Sequence, residues 1–158
     1  MSCLSIMITA PVSVRADATV AAAIDLIFKH RIRTLPVVDA EDIHQGIFGI
    51  QFLLKELLPR AATLNPDRGM IDLSFMHDTL DDVRDSLRER LAALYPQEVG
   101  TAVHRDTAPL TAEDSLLEAM LRVYQAGFSL PVVDKKTKKL VGIISHWSIL
   151  AKLTERTL

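Results

Sequence analysis

The chain has 158 residues, a formal net charge of −2, 49% apolar residues and only 5% aromatic ones. That length fits one compact domain or two small motifs sharing an aliphatic interior. A slightly acidic chain offers no basic field to a phosphate backbone, which argues against nucleic-acid binding. Cys3 stands alone, so no intramolecular disulfide exists. No apolar run approaches the roughly 18 residues of a bilayer span, and MSCLSIMITAPV lacks the features of a secretory signal. The expectation is a soluble, cytoplasmic protein.

In chain order, a short lead-in strand is expected near residues 12–14. Thr19 then caps a helix whose apolar stripe is Val20, Ile24, Ile27 and Phe28. Lys29, His30, Arg31 and Arg33 form a small basic cluster at its end, suited to the helix dipole or to a phosphate. A strand follows at Leu35-Pro36-Val37-Val38, with proline near its start, where a missing N–H is tolerated. A polar turn is expected over residues 39–45, a second strand over 46–50, and a last helix from about Phe52.

Residues 59–96 exceed a minimal linker. Pro59, Asn65-Pro66 and Gly69 mark a loop. Asp78 or Thr79 then opens a helix in which Leu80, Val83, Leu87, Leu91 and Leu94 recur at spacings of three and four, with acids and arginines on the other faces. This amphipathic helix ends at Tyr95-Pro96. It is expected to pack on its own module or at a dimer seam. Ile71, Leu73, Phe75 and Met76 are placed to line or plug a cleft of the first half.

The remainder repeats what came before. Leu35-Pro36-Val37-Val38-Asp39 returns 95 positions on (35 to 130) as Leu130-Pro131-Val132-Val133-Asp134. Upstream, residues 14–20 resemble residues 110–116 at an offset of 96 (14 to 110). Downstream, Phe48-Gly49-Ile50 resembles Val141-Gly142-Ile143 at an offset of 93 (48 to 141). Small drifts of this kind fit indels in loops. In the second copy Ser115 and Glu118 form a capping box, Leu116, Ala119, Met120, Val123 and Tyr124 keep helical spacing, and Gly127 ends the helix. Strands at 130–133 and 140–145 and a helix from His146 complete it.

These residues resemble the CBS domain, in tandem as a Bateman module. The resemblance rests on Thr19-Val20 with Ala23, the first LPVVD and Phe48-Gly49-Ile50, and then on Ser115-Leu116 with Ala119, the second LPVVD and residues 141–145. It implies an α+β fold of two βαββα motifs packed about a pseudo-twofold axis. Residues 1–58 make the first motif, 59–96 a linker with the inserted amphipathic helix, and 97–158 the second motif. It further implies a homodimer, and a non-catalytic module that senses an adenosine-type ligand (AMP, ADP, ATP or S-adenosylmethionine) and modulates a partner enzyme or transporter. The alternative is a ligand-free dimerisation or docking module. No cofactor is required.

The family's nucleotide signature is Gly-apolar-x-Thr/Ser-x-x-Asp. Its hydroxyl and helix N-terminus meet a phosphate, and its carboxylate accepts ribose hydroxyls. In the second copy the match is Gly142 to Ser148: Ser145 keeps the hydroxyl, Ser148 replaces the acid, and His146 offers a further phosphate contact. The alternative is that Ser145 only caps the helix. Trp147 stacks on a purine, or is buried or held at a dimer contact. In the first copy, Gly49 to Lys55, Phe52 falls on the hydroxyl and Lys55 on the acid, so at most one well-formed site is expected, beside the second motif. By family position Pro109, Leu110, Thr111, Ser129 and Leu130 are further pocket walls, with Arg33 and Thr34 in the first half. The five histidines show no metal-ligand spacing, and no phosphate-binding glycine loop or nucleophile elbow is present. Asp81-Asp82 open a helix and Asp39 and Asp134 open turns, all structural uses of acids.

Overall fold

The computed structural model describes residues 2–58 and 80–158, with side chains between 83 and 158 in the second stretch. The loop at residues 59–69, the stretch from Ile71 to Met76 and the Asp78 or Thr79 cap lie outside the described residues.

Two mixed sheets carry the fold. The first contains β2 (Val14–Arg15), β3 (Thr34–Val38) and β4 (His44–Gly49), with β2–β3 parallel and β3–β4 antiparallel. The second is ordered β1 (Ile8–Thr9), β7 (Leu140–Ile144), β6 (Leu130–Val133), β5 (Leu110–Thr111). Among the described residues five helices accompany them: α1 (Val20–His30), α2 (Ile50–Leu57), α3 (Leu80–Leu94), α4 (Leu116–Ala126) and α5 (His146–Leu153). Pro36 sits in the middle strand of its sheet without harm. The short β2 reaches only Val37 and Val38, so no neighbour asks Pro36 for an N–H.

The helix caps stand where the sequence puts them. Thr19 accepts from the Ala22 N–H at 3.2 Å and Ser115 from the Glu118 N–H at 3.1 Å. The helices end in left-handed residues, Arg31 (φ 51°) and Gly127 (φ 75°). The Val20 and Ala21 N–H groups, ahead of the first turn's own acceptors, donate to the carbonyls of Gln97 at 2.9 Å and Tyr95 at 3.2 Å. The chain leaving α3 therefore caps α1. The inserted helix packs on its own chain: the Arg90 guanidinium donates to the Leu57 carbonyl at 3.1 Å, and Leu94 packs against the first core.

The motifs exchange their lead-in segments. Ile8 and Thr9, from the chain start, pair with Ile143 and Gly142 of the second sheet. His104, from the second half, exchanges both backbone bonds with Ile47 of the first sheet, at 2.8 and 2.9 Å. Both crossings obey one shift of 96 positions (8 to 104, 47 to 143), which also maps the 3-10 turn Cys3–Ser5 onto Val99–Thr101. Glycines permit the close approach. A Cβ on Gly46 (φ 150°) would collide with Val103 and lie 2.6 Å from the His104 carbonyl oxygen. One on Gly142 would collide with Met7 and lie 2.8 Å from the Ile8 carbonyl oxygen.

On the axis the two hairpin turns zip together. Ile43 bridges its own counterpart Lys139, the His44 N–H donates to the Lys138 carbonyl, and the Leu140 N–H donates to the Asp42 carbonyl, both at 3.0 Å. Two apolar clusters form the interior. One gathers Val14, Val20, Leu35 and Phe48 under α1. The other gathers Cys3, Ile6, Leu110, Leu130, Ile144 and also Ile47 of the first sheet. Successive strand residues face opposite ways, so Phe48 fills one core and Ile47 the other. Burial, with the Asp114 carboxylate adding to it, pushes the Cys3 thiol up, which suits a packing role for it.

His44 lies in this zip with its Nε2 buried and unpartnered, and burial lowers its pKa against an opposing hydrogen bond with the Gly46 backbone. The unfolded chain therefore binds this proton at a higher pH than the folded one. Stability is full above the ordinary histidine range and falls as pH drops through about 6.5 toward the lower folded value. His44→Gln is expected to flatten this slope when urea midpoints are compared at about pH 7.5 and about pH 5.5. Equal slopes for the two proteins would refute the assignment.

Candidate functional site

The hairpin register corrects the repeat alignment downstream of the first LPVVD. Val37 faces Gly46 as Val132 faces Gly142, and Pro36 faces Ile47 as Pro131 faces Ile143. Gly46-Ile47-Phe48-Gly49 therefore corresponds to Gly142-Ile143-Ile144-Ser145, at an offset of 96 (46 to 142), and not of 93. The last helix of the first motif starts at Ile50, not near Phe52, with Gly49 as its N-cap where Ser145 caps α5. Gly49 thus takes the hydroxyl position and Phe52 the acid position, while Lys55 lies a turn farther on, exposed. The sequence holds two Gly-Ile pairs three residues apart, and strand pairing makes the first of them, Gly46-Ile47, the counterpart of Gly142-Ile143.

In the second half the strand β7 delivers Ser145 to the start of α5. The Ser148 N–H donates to Ser145 Oγ, and the Ser145 N–H donates to Ser148 Oγ, each at 3.0 Å. Ser148 Oγ in turn donates to the Ser145 carbonyl at 3.0 Å. A full capping box therefore stands here; at Ser115 the structure gives the half in which the serine accepts from Glu118. Ser148 is buried, at 4% exposure, and its hydroxyl is spent on the box. Ser145 is half-buried, and its own O–H proton is not part of the box. The amides of His146 and Trp147 precede the first intrahelical bond, so a helix N-terminus is presented beside an exposed His146. Trp147 is 74% exposed, so it is not buried in its own chain.

The other expected walls divide. Ser129 is half-buried at the foot of β6. Thr111 is held by Asp114, its N–H donating to Oδ2 at 2.8 Å and its hydroxyl to Oδ1 at 3.1 Å. Arg122 pairs with that carboxylate at 3.7 Å and donates to the carbonyls of Ala108 and Pro109. Pro109 and Thr111 are thereby fixed by a local clamp. Leu110 and Leu130 have no exposed surface and spend their side chains in the second core. Arg33 and Thr34 belong to the first half, opposite Gly49: Arg33 is exposed, its carbonyl accepting from the Ile50 N–H at 3.0 Å, and Thr34 is buried. Met7, Ile8 and Thr9, lying over Gly142, escaped the sequence reading. A two-residue strand gives no periodicity, and its partner is more than 130 residues away.

The first half is filled differently. The ring of Phe52 stacks on His104, with centroids 4.3 Å apart and planes 12° apart, and makes a T-shaped contact with Phe128, centroids 5.6 Å apart. His104 Nε2 is 2.9 Å from Thr107 Oγ1. Phe52 and His104 themselves form part of the wall of a cavity of about 160 Å³, which Val20, Phe48, Leu53 and Leu94 also line. It is smaller than the ~300 Å³ at which small-molecule pockets begin.

Comparison with known proteins places this geometry. The family model described as CBS domain matches residues 4–57 and 99–155. A crystal structure of CBSX2 in complex with AMP shares the fold at a TM-score of 0.67 and 20% identity, covering 98% of this chain and 97% of that one. The CBS domain pair of protein MJ0100, in complex with 5-methylthioadenosine and S-adenosyl-L-methionine, does so at 0.63 and 15%, covering 97% and 99%. Among curated proteins, the carnitine transport ATP-binding protein OpuCA of Listeria monocytogenes is 29% identical over 147 residues. That alignment takes in 92% of this chain but only 28% of the relative's length.

Ser145→Ala removes the α5 cap and is expected to cost about 1 kcal/mol of unfolding free energy in urea denaturation. A change within a few tenths would mean that the box contributes nothing to stability.

Proposed function

The chain belongs to the CBS domain family, and we propose that it is a non-catalytic, cytoplasmic regulatory module that binds an adenosine-type ligand beside its second motif and relays that state to a partner enzyme or transporter. The carrying observation is the α5 N-terminus. Ser145 stands at the mouth of a helix dipole next to His146, in a half whose acid position holds a small, folded-back serine. The ligands in the CBSX2 and MJ0100 structures, AMP and S-adenosylmethionine among them, support the ligand class. With Ser148 in place of an acid, ribose is held less firmly, and phosphate and base contacts carry more of the affinity. Ser145, His146, Ser129 and Thr111 are the first residues to test.

Adenosine compounds at one hundred times their dissociation constant are expected to stabilise by about 2.7 kcal/mol, a Tm rise of roughly 5–10 °C for a domain of this size. Thermal shift with AMP, ADP, ATP and S-adenosylmethionine measures this. Unchanged melting with all four at millimolar concentration would rule the ligand reading out.

A second reading, docking without ligand, is favoured by an apolar surface. Leu117, Leu121 and Tyr124 recur at helical spacing on α4, and Trp147, Leu150 and Leu153 on the adjacent α5, with exposures from 49% to 80%. Such a face is costly to leave in water. We assign it to a homodimer contact, with a transporter ATPase as one class of further partner, in keeping with the OpuCA relative. Sedimentation velocity is expected to show a dimer for the native chain and a monomer for Leu121→Glu/Tyr124→Lys. A native monomer at tens of micromolar, roughly the range of weak association, would remove this contact from consideration.

A further inference from the structure

We infer that Phe52 is a built-in plug that closes the first cleft and limits the module to one ligand per chain. This rests on the reading that the second cleft is the ligand site. The argument is the internal symmetry. The shift that carries Gly49 onto Ser145 and α2 onto α5 carries Phe52 onto Ser148, and it carries His104 back onto Ile8. Space around the two helix starts should therefore match, save for the side chains that differ.

They differ in one decisive respect. Ser148 folds back onto its own cap, with its oxygen bonded to the Ser145 backbone, and reaches no farther. Phe52 extends away from its own cap from the same position and lies flat on His104 at 4.3 Å, in a T-shaped contact with Phe128. Phe128 belongs to the other motif and sits one residue before Ser129, so the ring bridges the two halves and occupies the space between them. His104 is held in turn by Thr107 and by its two backbone bonds to Ile47. The stack is thus braced from both sides. The cap position cannot offset the loss, because a Cβ on Gly49 would come within 2.7 Å of the Arg33 carbonyl oxygen and 3.0 Å of Thr34 Cγ2. The cleft has lost its hydroxyl for want of room and its opening to an aromatic ring.

The test is ligand stoichiometry by isothermal titration of the full chain with AMP and, in parallel, S-adenosylmethionine. The native protein should bind one equivalent, Phe52→Leu one, and Phe52→Ser a second, weaker one. Where the serine variant does not fold, Phe52→Val keeps an apolar contact with Phe128 and must show the second equivalent instead. One equivalent in the native chain and one in every folded variant overturns the plug while leaving the second cleft intact as the ligand site. No binding in the native chain but one equivalent in Phe52→Ser supports the plug and removes the second-cleft reading. No binding in any of them overturns both.

Discussion

The exchange of lead-in segments holds the rest of the structure in place. Ile8 completes the second sheet and His104 the first, so neither motif has its full set of strands without residues from the other. A two-residue strand contributes few bonds of its own and would not be stable alone. Its position is enforced by what surrounds it: Gly46 and Gly142 leave no space for a side chain, and Cys3, Ile6 and Val99 anchor the same segments in the cores. The consequence is cooperative. Separating the halves would expose Ile47, which lies in the first sheet but packs in the second core, along with both sheet edges.

That constraint also frames the difference between the two helix starts. Because one operation relates the halves, the two helix starts are presented in the same way to the space between them, and chemistry is decided by a few substitutions. Ser145 and Gly49 decide whether a hydroxyl is offered. Ser148 and Phe52 decide whether space is left. The scaffold residues obey the symmetry closely, down to the irregularity between Val37 and Val38 that recurs between Val132 and Val133. A duplicated fold therefore keeps its architecture while the side chains at its two helix starts diverge, Ser148 folding onto its own cap and Phe52 packing on His104 and Phe128. The apolar stripe on α4 and α5 shows the complementary tendency, an exposed surface without cover among the described residues.

Much of this was legible in the residues. The caps at Thr19 and Ser115, the helix end at Gly127, the LPVV strands and the helix closing at Leu94 all follow from local chemistry, since capping, proline and β-branching act within a few positions. The repeat itself was legible too, and with it the CBS pair. The site was less so. Leu110 and Leu130 are pocket walls by family position, and their complete burial in the second core is not written along the chain, because burial is a property of all the elements that cover a residue. The clamp of Thr111 by Asp114 and Arg122 was likewise hidden: Asp114 is close in sequence, but the orientation of Arg122 is given by a helix packed against the strand.

The sequence by itself determined the duplication, the βαββα order and the residue types available at each helix start, because these depend on local propensity and on self-similarity. Only the tertiary structure decided the frame between Gly46 and Phe52. Two Gly-Ile pairs read equally well as text, and strand pairing with Val37 and Pro36 chooses between them by requiring every side chain to point to the correct face. It likewise decided that the ends of the two motifs are exchanged and that Phe52 meets His104, contacts between residues more than 50 positions apart that no local signal encodes.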